Sequence, residues 1–178
     1  ELAVAESLGK EGGPVFYDDV AELEFLDAYG KGISDLHGVG CFPNLVAADV
    51  SDNDLVDVGP LHQCAAVLGL VLHENQISDL SPLSALDSLT VLVVGANQVN
   101  SLIPLADLSI EELSVQSNLL VSLAGLEDLS TLTTLYAGGN NITDISALAG
   151  GKGEMFKLDL SHNQIVDISP LAGLENLE

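Results

Sequence analysis

The sequence predicts an α/β repeat solenoid: a right-handed coil of stacked parallel strands, short 3₁₀ turns on the convex side and a helical N-terminal cap. Three observations predict the repeat coil. An asparagine returns as Asn53, Asn75, Asn97, Asn118, Asn140 and Asn163, at spacings of 22, 22, 21, 22 and 23 residues. Aliphatic residues sit at fixed offsets from each marker, and 33 of the 178 residues are leucine. The proline-containing turns Gly59-Pro60-Leu61, Ser81-Pro82-Leu83, Ile103-Pro104-Leu105 and Ser169-Pro170-Leu171 recur at nearly the same place in the period.

Each repeat is read outward from its marker. Aliphatics five and three residues before it, such as Leu70 and Leu72, Leu92 and Val94, Leu113 and Val115, or Leu158 and Leu160, alternate with other residues as a short half-buried strand does. The strands are expected to stack in parallel. Buried aliphatics follow two residues after the marker (Leu55, Ile77, Val99, Leu120, Ile142, Ile165) and five after it (Val58, Leu80, Leu102, Leu123, Ile145, Ile168). One 3₁₀-like turn per repeat comes next, with Pro at a first helical position and Ser as its cap. The asparagines are structural: a buried amide satisfies backbone groups where the chain leaves the sheet, and stacking turns them into a ladder. Asp35, Asp57, Asp79, Asp144 and Asp167, four after the marker, interchange with Ser101 and Ser122, which points to capping of the turn.

Stepping back one period from Asn53 reaches Lys31, in a segment that keeps the apolar positions and loses the asparagine, so seven repeats are counted. The expected organisation is a cap over residues 1–22, with a short amphipathic helix at Leu2–Lys10, and repeats over 23–178, the chain ending at the start of an eighth.

The repeat Leu70-Val71-Leu72-His73-Glu74-Asn75-Gln76-Ile77-Ser78-Asp79-Leu80-Ser81-Pro82-Leu83, and its counterpart from Leu158 to Leu171, resembles the 22-residue leucine-rich repeat of bacterial internalin-like proteins. The resemblance runs from Leu23 to the C-terminus. It implies a bacterial protein, secreted or attached to the cell surface, that recognises another protein without catalysis.

Charge narrows the function. Four Lys+Arg oppose 27 Asp+Glu, a formal net charge of −23, and Gly32 to Gly151 has no Lys or Arg. Phosphate backbones and anionic membrane surfaces require clustered cations, so nucleic acid is excluded as a partner. No apolar run is long enough to span a bilayer, so no membrane insertion is expected. Asp159, Ser161 and His162 share one strand and form no nucleophile constellation, and Gly150-Gly151-Lys152-Gly153 lacks a phosphate-loop pattern. The latter reads as a looser convex turn that takes up the 23-residue spacing.

The candidate site is the concave face of the sheet. Residues four before the marker (Asp27, Asp49, Val71, Val93, Ser114, Tyr136, Asp159) and two before it (Tyr29, Ser51, His73, Gly95, Gln116, Gly138, Ser161) vary while the inward positions do not. Phe25, Ala47, Gly69, Val91, Glu112, Thr134 and Lys157 flank them. Exposed Val71, Val91 and Val93 are read as an apolar patch between Phe25 and Tyr29 on one side and Tyr136 on the other; with His73 and Gln116 they form the expected contact surface for a protein partner, favoured when basic. Asp49, Asp52, His73 and Glu74 have the residue types for calcium, but nothing fixes their geometry and the pattern does not recur, so a solvated acidic patch and no cofactor are expected. End-to-end contact through the C-terminal repeat is a further expectation. Cys41 and Cys64 lie one coil apart with a one-residue offset, compatible with a disulfide or with two thiols.

Overall fold

The computed structural model describes residues 17–150 and 152–177. A four-residue helix, α1 (Tyr17–Val20), leads into seven three-residue strands: β1 (Phe25–Asp27), β2 (Ala47–Asp49), β3 (Gly69–Val71), β4 (Val91–Val93), β5 (Glu112–Ser114), β6 (Thr134–Tyr136) and β7 (Lys157–Asp159). They form one sheet in chain order, every neighbouring pair parallel. The register is the repeat itself: Leu26, Ala48, Leu70, Leu92, Leu113, Leu135 and Leu158 stand side by side. The expected helix at Leu2–Lys10 lies outside the described residues.

The core is a column of aliphatics inside the coil. In one repeat, Leu70, Leu72, Ile77, Leu80, Leu83, Leu86 and Leu89 are all 1% exposed or less. Each such side chain contributes about 1.5–3 kcal/mol of burial, and each coil packs against the coils before and after it, so the period of the sequence is the period of the packing. Val20 and Leu23 join this core at one end. At the other end Leu158, Leu160 and Ile165 are only partly buried and Ile168 is 67% exposed. Ile168 thus departs from the expected burial, because no coil covers its far side among the described residues.

The asparagine ladder is built as expected. The Asn97 carbonyl accepts from Ile77 N at 2.9 Å, while its amide donates to Leu72, Val94 and Gly95 carbonyls at 2.9, 3.2 and 3.0 Å. Asn75, Asn118 and Asn140 repeat the pattern one coil at a time. Each amide ties two coils together, and no buried side-chain N or O lacks a partner among the described residues.

The 3₁₀ turns are Val39–Cys41, Gly59–Gln63, Ser81–Ala85, Ile103–Leu105, Ser146–Leu148 and Ser169–Gly173. Two expectations are corrected there. Ser81 and Ser169 stand inside their turns and do not cap them; the acid two residues earlier does, as the interchange of Asp and Ser there indicates, accepting the N–H of Gly59, Ser81, Ser146 and Ser169 at 2.7–2.8 Å from Asp57, Asp79, Asp144 and Asp167. Ser101 and Ser122 accept in the same way, at 3.3 and 3.4 Å. The repeat of Asn118 has no 3₁₀ turn. Proline does not decide this, since Val39–Cys41 and Ser146–Leu148 lack it too; here Gly125 turns with φ +104° so close to the previous coil that a Cβ would lie 2.5 Å from the Leu102 carbonyl oxygen.

The glycine-rich turn does take up the extra residue, with Gly150 at φ +87°. Its lysine, however, turns inward. Lys152 is 4% exposed and donates its ammonium to the carbonyls of Leu126 and Glu127 at 2.5 and 2.6 Å. Met155 N bonds Lys152 O just as Leu89 N bonds Leu86 O, so the lysine occupies an inward leucine position. Burial lowers its pKa, and the neighbouring carboxylates of Asp128 and Glu127 oppose that shift. Cys64 is a buried free thiol whose Sγ lies 3.7 Å from the Val39 carbonyl oxygen, and burial raises its pKa. The side chain of Cys41 lies outside the described residues.

Candidate functional site

Three rows of side chains cross the outer face of the sheet, because residues alternate between the core and solvent along each strand. Phe25, Ala47, Gly69, Val91, Glu112, Thr134 and Lys157 are in register, as are Asp27, Asp49, Val71, Val93, Ser114, Tyr136 and Asp159. Beyond the strands the third row continues the ladder, with Gly30 N, Asp52 N, Glu74 N, Ala96 N, Ser117 N and Gly139 N bonding the carbonyls of Ser51, His73, Gly95, Gln116, Gly138 and Ser161.

The residues expected to make contact lie on this one face, but their exposure differs from expectation. Phe25 and Tyr29 are 55% and 57% exposed. Val71, Val91 and Val93 are half-buried rather than exposed, since each stands beside side chains of the adjoining strands. Tyr136, His73 and Gln116 are also half-buried. The valines therefore form a partly sheltered floor, with Phe25 and Tyr29 at the first strand and Tyr136 at the sixth.

Glycines shape this floor. A Cβ on Gly95 would sit 2.9 Å from His73 Nδ1, so the imidazole lies over the neighbouring coil. A Cβ on Gly138 would sit 3.0 Å from both Asp159 Oδ2 and Ser161 Oγ, and across this gap Gln116 Nε2 donates to Asp159 Oδ2 at 3.3 Å. The bonds from Ser161 and Gln116 hold the Asp159 pKa down.

Asp49, Asp52, His73 and Glu74 are not assembled as metal ligands. Asp49 Oδ1 accepts from the N–H and hydroxyl of Ser51, and His73 Nε2 pairs with Glu74 Oε1 at 3.2 Å. Among the described residues no group of three or more His, Cys, Asp or Glu is arranged to hold a metal ion. On the 3₁₀ side, His37 Nδ1 contacts Asp35 Oδ1; this raises the histidine pKa, and the backbone and side-chain bonds from His37 lower that of Asp35.

Sequence reasoning missed a second exposed apolar set, just after the markers: Leu119, Val121 and Val56 at 51%, 58% and 59%. The signal was present in the period. Other repeats place Gln76, Gln98 or Gln164 where Leu119 stands, and Ser78, Asn100 or Thr143 where Val56 and Val121 stand.

Comparison with solved structures places this architecture. Internalin C2 of Listeria monocytogenes superposes with a TM-score of 0.77 at 33% identity, over 99% of this chain and 88% of that one. The chain belongs to the internalin family. Internalin F of the same species matches with a TM-score of 0.83 at 31% identity, over 90% of this chain and 48% of that one, so the chain spans about half of internalin F. The functional domain of InlJ from Listeria monocytogenes, which includes a cysteine ladder, shares the fold at 19% identity with a TM-score of 0.73, over 98% of this chain and 43% of that one. No protein-family model and no curated protein matches the chain. As an internalin-family leucine-rich repeat, the chain is a protein-interaction repeat domain. No helix among the described residues is long and apolar enough to cross a membrane.

Proposed function

We propose that this internalin-family domain is a non-enzymatic recognition module of a secreted or surface-attached bacterial protein, and that it binds a protein partner through the concave face of its sheet. The observation that carries this reading is the contrast between a repeated interior and a varied face: Leu70, Leu92, Leu113 and Leu135 are fully buried in one row, while the outward row beside them changes from Val71 and Val93 to Ser114 and Tyr136. A face held by seven strands and an asparagine ladder loses little conformational entropy on binding. That Val20, and Leu23 just after it, are buried against the first coil supports the reading of 1–22 as a cap. With a formal charge of −23, the domain's field favours a basic partner.

The test passes solubilised surface and secreted proteins over the immobilised domain, beside a folded variant with Tyr29, Val71, Val93 and Tyr136 changed to alanine. A partner kept by the parent and lost by the variant supports the reading; equal retention moves the site off the sheet.

Exposed Ile168 and the partly buried Leu158, Leu160 and Ile165 favour a second reading, a structural segment whose last coil stacks on further repeats or another subunit. Sedimentation that depends on concentration would support it.

A further inference from the structure

The middle row of the sheet face has a pattern of its own. From β1 to β7 it reads Asp27, Asp49, Val71, Val93, Ser114, Tyr136, Asp159: two valines, a serine and a tyrosine between acidic ends, with Asp49 and Asp159 the acids that border them. Five strand spacings separate the two carboxylates, about 24 Å at ~4.8 Å per strand. Both carboxylates are half-buried and oriented by local bonds. Asp49 Oδ1 accepts Ser51 N at 3.0 Å, and Asp159 Oδ1 accepts Ser161 N at 2.9 Å while Oδ2 takes the Gln116 amide. Acceptors fixed in advance lose little rotamer freedom when a cation arrives. Lys157 is the one Lys or Arg in the three rows, and it lies on β7 two residues before Asp159 on the same face, so the Asp49 end carries the less opposed negative charge.

We propose that this face takes an extended protein segment of basic–apolar–basic pattern, lying across the strands with aliphatic side chains on Val71, Val91 and Val93 and a cationic side chain at each end, on Asp49 and on Asp159. The proposal rests on the recognition reading above and adds the chemistry of the partner. An extended chain advances ~3.3 Å per residue and shows alternate side chains to one face, so same-side cations eight residues apart span about 26 Å and match the acidic ends. Lysine or arginine stems add apolar contact along the floor.

The probe is the peptide Arg-Ser-Val-Ser-Leu-Ser-Val-Ser-Arg, capped at both ends and fluorescently labelled, titrated with the domain and followed by anisotropy. The parent should bind it, and should do so at least about tenfold more weakly when both arginines become glutamate. The same loss should follow in the Asp49→Asn/Asp159→Asn domain, which keeps the oxygens that cap Ser51 and Ser161, and binding should fall as salt rises toward roughly 0.5 M. Circular dichroism checks that this variant is folded. No binding by the parent, or equal binding of the glutamate peptide, overturns the proposal. The two readings fail separately: if the peptide result is negative while partner retention still depends on Tyr29, Val71, Val93 and Tyr136, only the charge pattern falls. If that dependence is absent too, the concave-face reading falls with it.

Discussion

Lys152 reaches back one full coil to donate its ammonium to the Leu126 carbonyl at 2.5 Å, from a position where other repeats place leucine. A buried cation here costs desolvation, and the two carbonyls it serves recover part of that cost. Lys152→Ala should therefore destabilise the domain by about 2–4 kcal/mol, since it removes both bonds and leaves space in the core. Urea denaturation checks this.

The same lysine gives a pH signature. Its folded pKa is depressed by burial, so the folded chain releases the proton before the unfolded chain does. Between the folded pKa and the unfolded value near ~10.4, the unfolded state holds more protons and stability rises with pH. Comparing the parent with Lys152→Met isolates the effect. Parent stability should gain on that of the methionine variant through this window, and a difference independent of pH would contradict the assignment.

Asn97→Ala should cost about 2–4 kcal/mol, because it orphans the buried Ile77 N–H and removes a donor from three carbonyls. Asn163→Ala, at the half-buried end of the ladder, should cost about 1 kcal/mol, since water can replace its amide. Denaturant midpoints of the two variants give the comparison.

The turn caps predict acid sensitivity. The Ser81 hydroxyl and N–H hold the Asp79 carboxyl below its ordinary value, and the N–H and hydroxyl of Ser146 and Ser169 do the same for Asp144 and Asp167. Depressed carboxylates contribute stability that is fully present above the unfolded pKa of ~3.9 and lost as pH falls through the folded value. A triple variant with these three residues changed to asparagine keeps an acceptor oxygen at each turn and loses the titration. Its stability should decline less than the parent's as pH drops below ~4.

Gly125→Ala should cost about 3 kcal/mol or more, combining a positive φ with a Cβ driven against the Leu102 carbonyl. Gly38→Ala and Gly150→Ala also meet positive φ but open space, and should cost about 1 kcal/mol each. Thermal midpoints should rank Gly125→Ala well below the other two.

Much of this was legible because stacking converts spatial register into sequence period. Leu70, Ile77 and Leu80 recur at fixed offsets since each must meet its own equivalents in the next coil, and Asn75 recurs since every coil leaves the same backbone groups to satisfy. Lys152 escaped notice for a physical reason as well. Counted from Asn140, the extra residue shifts the lysine to a surface place; counted back from Asn163, it falls on the inward position held by Cys64, Leu86 and Leu129. Val71, Val91 and Val93 look exposed in a sequence because alternation reports which face a side chain takes and says nothing of how far its cross-strand neighbours cover it. Leu119 and Val121 were hidden by the opposite habit, that of reading leucine and valine as core.

The central claim is that the outer face of the sheet makes the contact. Hydroxyl-radical footprinting of the domain, free and bound to the partner it retains, tests this directly. The account predicts protection of Phe25, Tyr29, His73 and Tyr136, with Val56, Leu119 and Val121 labelled as in the free protein. Protection of the second set with the first unchanged would contradict it and place recognition on the surface that follows the asparagine ladder.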